Sequence, residues 1–363
     1  MRDSNRYIRQ IQLPGFGKDG QEKLARSSVL VIGAGGLGVP VIQYLSAMGV
    51  GHLGIMDADS IDISNLHRQV IYQSSQAGMD KVTACREWVE KQNPDIILQT
   101  YAEFLSVSNA LATIASYDLV IDATDNFEAR YLINDACVLL EKPFVYGALQ
   151  GYEGQVSVFN YQSGPTYRCL YPIPPDAGQI PDCNQAGVLG IIPGIIGSYQ
   201  ALEAVKVLTE CAEPLSGKLL VLDFKDHHHY AINIRTNPLS RQIKALQSSY
   251  ALDSCAIEDE ISVEELAKWL LADKEFALLD VRETSEFEAE RLEQAVSVPL
   301  SEIYNQTIPC STHQPWVVMC QLGSRSKKAI QILKSRFPNA KLINLEGGLA
   351  QWCLEMGNLH LNE

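Results

Sequence analysis

Glycines at 33, 35 and 38 form a Gly-x-Gly-x-x-Gly loop, with Gly36 inside it, directly after the β-branched run Ser28–Ile32. Glycines let a phosphate approach the backbone. The amide N–H groups and the following helix N-terminus, worth about half a positive charge, would hold it there. Asp57 follows about twenty residues later, where a ribose-binding carboxylate belongs. These residues alone leave a dinucleotide, ATP and a purely structural turn open. A different chemistry stands near the other end of the chain, in the loop Cys320-Gln321-Leu322-Gly323-Ser324-Arg325. Inward-pointing amides in such a loop, together with a helix N-terminus, would stabilise a thiolate or persulfide anion on Cys320. The alternative is a cysteine buried at a strand end.

The stretch Asp57-Ala58-Asp59-Ser60-Ile61-Asp62-Ile63-Ser64-Asn65-Leu66-His67-Arg68-Gln69, followed by Lys81 and Thr124-Asp125-Asn126, narrows the choice. Cleaving ATP between its α- and β-phosphates needs cations against the developing charge. Arg68 and Lys81 would supply them, and Asp125 could hold the accompanying magnesium. On residue type alone, Arg68 and Lys81 also fit solvated surface pairs. A dehydrogenase has little use for this mixture.

These residues need elements to position them. Residues 28–32 read as a strand, 39–48 as a helix and 54–57 as a second strand, a strand, turn, helix, strand unit. A helical stretch at 109–115 precedes a buried-strand candidate at 119–122, which implies a parallel, helix-covered sheet. Strands at 153–159 and 218–224 flank a helix at about 197–208. The proline-rich segment 171–181 reads as an irregular crossing loop, and the weakly patterned stretch from Arg241 to Glu260 as an interdomain linker. Beyond it come a helix at 262–271, strands at 277–281 and 316–319, and a helix at 326–335 just after the cysteine loop.

A length of 363 residues with 46% hydrophobic content predicts two domains. The net charge of −14 provides no chain-wide basic field for nucleic acid or anionic lipid and suits a basic or neutral protein partner. The N-terminus has no signal-peptide pattern, and no uninterrupted apolar stretch suggests a membrane span. Nine cysteines, an odd number with no Cys-x-x-Cys pair, argue against a disulfide framework and predict a reducing, cytoplasmic setting. Cysteines 85, 137, 211, 255, 310 and 353 read as packing residues.

In its first 240 residues or so the chain resembles the MoeB/ThiF adenylyltransferases, relatives of the ubiquitin-activating enzymes. The likeness rests on Arg6-Tyr7-Ile8-Arg9-Gln10, the Gly33–Gly38 loop, Ser64-Asn65-Leu66-His67-Arg68-Gln69, Thr124-Asp125-Asn126 and residues 187–197. The resemblance implies MgATP-dependent adenylation of the C-terminal Gly-Gly carboxylate of a ubiquitin-like sulfur carrier. By motif position Asp57 would bind ribose, Asn65, Arg68 and Lys81 the phosphates, with Gln69 and Asn126 beside them, and Asp125 the magnesium. Arg9 would reach the ATP of the other subunit, which implies a homodimer. Cys183 falls at the family's reactive cysteine, where it would attack the activated acyl group or resolve an acyl-persulfide. Relatives commonly hold a structural zinc with two Cys-x-x-Cys pairs. Here the first pair reads Thr166-Tyr167-Arg168-Cys169 and the second region Asn237-Pro238-Leu239-Ser240-Arg241-Gln242-Ile243, so no structural zinc is expected.

The remainder of the chain resembles a rhodanese domain through Leu279-Asp280-Val281-Arg282-Glu283, Glu286-Phe287, Ser297-Val298-Pro299-Leu300, the cysteine loop and Glu346-Gly347-Gly348-Leu349-Ala350-Gln351-Trp352. By that resemblance, a six-residue loop favours a sulfur substrate over phosphate. Together the two likenesses imply an α/β protein with three parts. A Rossmann-like adenylating domain with a mostly parallel sheet would span 1–240, a linker 241–259, and a smaller α/β rhodanese domain 260–363. Cys320 would bear a persulfide supplied by a donor such as a cysteine desulfurase or thiosulfate. The carrier would serve molybdopterin or thiamine synthesis, tRNA thiolation or another thio-metabolite. Rival readings are thioester activation for conjugation, a carrier-docking scaffold without chemistry and, more distantly, an NAD-dependent enzyme.

Overall fold

Alternation along β1 (Ser28–Ile32) explains the layering of the first unit. Val29 and Val31 enter one apolar core, while Leu30 and Ile32 enter another on the opposite face, as successive strand residues must. The computed structural model describes residues 5–174, 187–250, 259–272, 274–303, 308, 314–357 and 361–362. The chain forms two compact units, one holding the described residues up to 250 and the other those from 259 onward.

In the first unit, β1 pairs in parallel with β2 (His52–Met56) and with β4 (Leu119–Asp122), placing Val29 opposite both Leu53 and Leu119. The eight-stranded sheet continues outward to β3 (Ile97–Tyr101) on one side. On the other side lie β5 (Phe144–Gln150), β6 (Glu153–Phe159), β7 (Lys218–Asp223) and β8 (His228–Asn233), in the order β3-β2-β1-β4-β5-β6-β7-β8. The part from β3 to β5 is parallel and the rest antiparallel. Strand order reverses beside β1, between β2 and β4, which opens a crevice at the carboxyl ends of these strands where open α/β sheets bind ligands.

The helix expected at 197–208 begins earlier and spans Ile191–Thr209. Pro193 and Gly194 obscure its start in the sequence, yet proline in a first helical turn costs no hydrogen bond. By length and composition it is apolar enough to cross a membrane. It packs instead on helix Gly38–Met48 and on β5 and β6, and its buried Glu203 pairs with Lys206 at 2.6 Å and accepts the Leu215 N–H, so it is a core helix here.

The second unit has its own parallel sheet. Its strands are β9 (Glu260–Ile261), β10 (Ala277–Asp280), β12 (Ala295–Ser297), β13 (Trp316–Met319) and β14 (Leu342–Leu345), in the order β12-β10-β13-β14-β9. A short pair, β11 (Arg291–Leu292) with β15 (Leu361–Asn362), stands apart. Trp316 and Val318 point into one core, Val317 and Met319 into the other, so β13 is covered on both faces and delivers Cys320 from the middle of the sheet.

Candidate active sites

A cavity of about 1180 Å³ opens at the crevice beside β1. Gly33, Gly35, Gly36, Asp57, Asn65, Arg68, Gln69, Lys81, Asp125 and Asn126 all line it. Gly38 lies beneath: a Cβ there would sit 1.9 Å from the Gly33 carbonyl oxygen, and Gly33 itself holds φ +99°, so neither position admits a side chain. Arg9 is exposed on helix Ile8–Ile11 and is not among the residues lining its own chain's cavity. Cys183 lies outside the described residues.

Asp57 caps the glycine loop from below, its carboxylate accepting the Ala34 N–H at 2.7 Å and the Asp59 N–H at 2.8 Å. Burial raises its pKa, with Lys81 opposing that rise. Lys81 is 5% exposed, and its ammonium sits 2.7 Å from Asp59 and 3.9 Å from Asp57. Arg68 donates to the Asn65 side-chain oxygen. The solvated-pair alternative therefore fails for Lys81, whose charge is buried at the cavity wall.

The turn carrying Asp125 is built by buried groups. Asp122, at the end of β4 and fully buried, accepts the Thr124 N–H at 3.1 Å and the Thr124 hydroxyl at 2.6 Å. Arg130 donates to the Thr124 carbonyl at 3.1 Å, and Asn126 caps helix Phe127–Leu139 through the Ala129 N–H at 2.9 Å. Asp125 is thereby presented, exposed, at the mouth of the cavity. Arg130, Phe104–Val107 and residues 248–250 also form cavity wall, and the sequence motifs do not single them out. Chain topology brings them there, and no local spacing marks them.

In the second unit Cys320 is fully buried and its sulfur accepts the Gly323 N–H at 3.1 Å. Ser326 Oγ lies 3.6 Å from the sulfur and 2.7 Å from Asn344 Oδ1. The loop pattern predicts several inward amides, but Gly323 supplies the amide contact to sulfur seen among the described residues, at a φ of +88° that suits glycine. Helix Ser324–Arg336 begins next to it. Arg325 binds Glu286 through both terminal guanidinium nitrogens at 2.6 and 2.8 Å, a pairing that lowers the Glu286 pKa to about 2. Arg282, 2% exposed and paired with Asp280 at 2.7 Å, reaches Gln321 Oε1 at 3.3 Å and so ties the loop to β10. Leu322 is 71% exposed at the tip.

Among the other cysteines, burial raises the Cys85 pKa to about 12 and drives Cys137 upward as well, consistent with packing roles. Cys169 departs from that pattern. Burial opposes ionisation there, but hydrogen bonds from the Thr166 hydroxyl and the Asn237 and Thr166 N–H groups outweigh it and lower the thiol's pKa. This contact joins residues 166–169 to residues 237–240. Arg168 adds a two-pronged bond to Asp135 at 2.7 and 2.8 Å, and Arg241 donates to the Gly164 carbonyl at 2.5 Å. Among the described residues no cluster of three or more His, Cys, Asp or Glu could hold a metal ion.

A mostly parallel sheet with a glycine loop and buried cations at its switch point, joined to a separate unit presenting a cysteine at a helix N-terminus, defines a two-unit enzyme of nucleotide and sulfur chemistry. The family models agree unit by unit: the ThiF family matches residues 7–242, and the rhodanese-like domain matches residues 262–355. The chain belongs to the ThiF family and carries a rhodanese-like domain after it. It is 39% identical over 376 residues to the adenylyltransferase and sulfurtransferase MOCS3 of Drosophila sechellia, covering 96% of this chain and 83% of that relative. The Xenopus laevis protein of the same name is 38% identical over 388 residues, covering 96% and 86%. Among solved structures, E. coli MccB with ATP matches with a TM-score of 0.58 at 20% identity, over 65% of this chain and 73% of that one. PaaA matches with a TM-score of 0.55 at 23% identity, over 64% and 73%. At these identities the structural likeness concerns the fold.

Proposed function

We propose that the first unit adenylates the C-terminal Gly-Gly carboxylate of a ubiquitin-like sulfur carrier with MgATP, and that the second delivers sulfur from a persulfide on Cys320 to yield a thiocarboxylate. The chain is accordingly an adenylyltransferase and a sulfurtransferase. The observation that carries this reading is the convergence of the glycine loop, Asp57, Asn65, Arg68, Lys81 and Asp125 on one cavity, in a chain whose other unit holds the Cys320 loop.

In the first step a carrier carboxylate oxygen bonds to the α-phosphorus of ATP and pyrophosphate leaves. Lys81 and Arg68 neutralise the charge moving onto the leaving phosphates. The burial of Lys81 at the cavity wall strengthens that attraction relative to water. Lys81 must exchange Asp59 for phosphate as nucleotide enters. Magnesium demands few protein ligands and keeps phosphate and water oxygens for the rest, which Asp125 at the cavity mouth satisfies; bound there, it would stabilise the phosphate charge. Gln69 and Asn126 stand beside the phosphate path. Arg9 would enter the cavity of a second copy, making the working form a homodimer.

In the second step the outer sulfur of the Cys320 persulfide attacks the acyl-adenylate carbonyl and AMP leaves. Cys183, by its motif position, would then attack the Cys320 sulfur and release the thiocarboxylate, leaving a disulfide for an external thiol to reduce. The sulfur reaches Cys320 from a donor such as a cysteine desulfurase or thiosulfate, and a reducing cytoplasm keeps the thiols free. Exchange of labelled pyrophosphate into ATP tests the first half. It should require a Gly-Gly carrier, and its absence with every carrier tried overturns the reading.

The segment around Cys169 is proposed to hold without zinc: the Cys169–Asn237 and Arg241–Gly164 contacts join residues 164–169 to residues 237–241, and Arg168–Asp135 anchors them to helix Phe127–Leu139. Untagged protein should contain far less than one zinc per chain, and EDTA should leave its melting temperature unchanged. Stoichiometric zinc that disappears in Cys169→Ser would contradict this.

A further inference from the structure

Residues 243–261 lie between the spans matched by the two family models, yet part of this stretch helps build the nucleotide cavity. Ser248, Ser249 and Tyr250 line it together with the glycine loop and the Asp125 turn. Two observations show that the segment is docked. Leu246 and Tyr250 pack against the core that contains Ile32, Met56 and Tyr131. The Tyr250 hydroxyl donates to Asp135 Oδ2 at 2.8 Å and accepts the Gln247 N–H at 3.3 Å. Asp135 is 2% exposed, is already gripped by Arg168, and stands on helix Phe127–Leu139, whose N-terminal turn forms the cavity wall beside Asp125.

We propose that residues 248–250 belong to the nucleotide site, and that Tyr250 is the positioning residue that pins them there through Asp135. The inference rests on the reading of the cavity as an ATP site. A wall made by the segment that leaves the adenylating unit has a thermodynamic consequence. Nucleotide that binds better to the docked segment must hold it docked by the same factor, because coupling between two binding events is reciprocal. The tether to the sulfurtransferase unit is thereby fastened most firmly when nucleotide is present.

The test uses the full chain with magnesium and α,β-methylene-ATP, which cannot lose pyrophosphate. Hydrogen exchange at residues 246–250 should slow when the analogue binds. Tyr250→Phe keeps the ring and removes the bond to Asp135. It should weaken analogue binding and raise the KM for ATP by about fivefold, the low end of ordinary coupling, with kcat at saturating ATP little changed. It should also erase most of the nucleotide-dependent protection. A merely structural tyrosine would lower the melting temperature without this split between KM and kcat. The inference is overturned if wild-type protein binds the analogue with no change in exchange at 246–250, or if Tyr250→Phe binds it as tightly as wild type. Failure of wild-type protein to bind the analogue at all would instead remove the ATP reading beneath it.

Discussion

Cys320→Ala abolishes conversion of the carrier to its thiocarboxylate, by about 1000-fold or more as expected for removal of a covalent nucleophile, while carrier-dependent exchange of pyrophosphate into ATP continues at the wild-type rate. The loss follows because the sulfur is the atom that must carry the persulfide. Ser326 Oγ lies 3.6 Å away, but a hydroxyl forms no persulfide. Retention of adenylation follows from the architecture. Cys320 packs into a core made of second-unit residues such as Val318, Ala329 and Leu333, and losing one sulfur atom there leaves the core of the adenylating unit untouched. Measuring both products on one folded sample decides the matter. Loss of both activities in a variant with wild-type melting behaviour would refute the division of labour between the units.

Asp125→Ala should have the complementary effect: pyrophosphate release falls by about 1000-fold, the scale on which losing metal-assisted charge stabilisation is felt, while Cys320 still accepts sulfur from a donor. Among the described residues Asp125 makes no structural hydrogen bond like those of its neighbours. Asp122, Thr124, Asn126 and Arg130 hold the turn between them, so the alanine variant should fold normally. Calorimetric titration with ATP, with and without magnesium, separates the interpretations. Wild-type protein should gain affinity from magnesium and the variant should not. Undiminished pyrophosphate release by Asp125→Ala would remove the magnesium assignment.

Much of this site is legible in the amino-acid sequence because its chemistry is local. The Gly33–Gly38 loop, the cluster ending at Gln69, the Asp125 turn and the cysteine loop each occupy a short stretch of chain, and backbone geometry within that stretch decides what it presents. Strands β1, β2, β4 and β13 are equally plain, since buried strands of a parallel sheet are continuous apolar runs. Other features depend on distant parts of the chain. Arg130 and Phe104–Val107 join the cavity only because β4 ends beside β1 and β3 ends beside β2. Helix Ile191–Thr209 looks shorter in the sequence because its glycines and proline resemble a loop, although tertiary packing outweighs their propensity. Strand β8 is exposed along its whole length and lacks an apolar face to announce it. The polar Ser248-Ser249-Tyr250 looks like part of a linker until Tyr250 is seen against Asp135.

The central claim is that one chain both activates a carrier's carboxylate and replaces one of its oxygens with sulfur. The most direct test is to incubate the protein with MgATP, a sulfur donor and candidate carriers ending in Gly-Gly, and to read each carrier by intact mass. The account predicts a carrier whose mass rises by the difference between a sulfur and an oxygen atom, only when ATP and donor are both present. Release of pyrophosphate with the carrier's mass unchanged would contradict it.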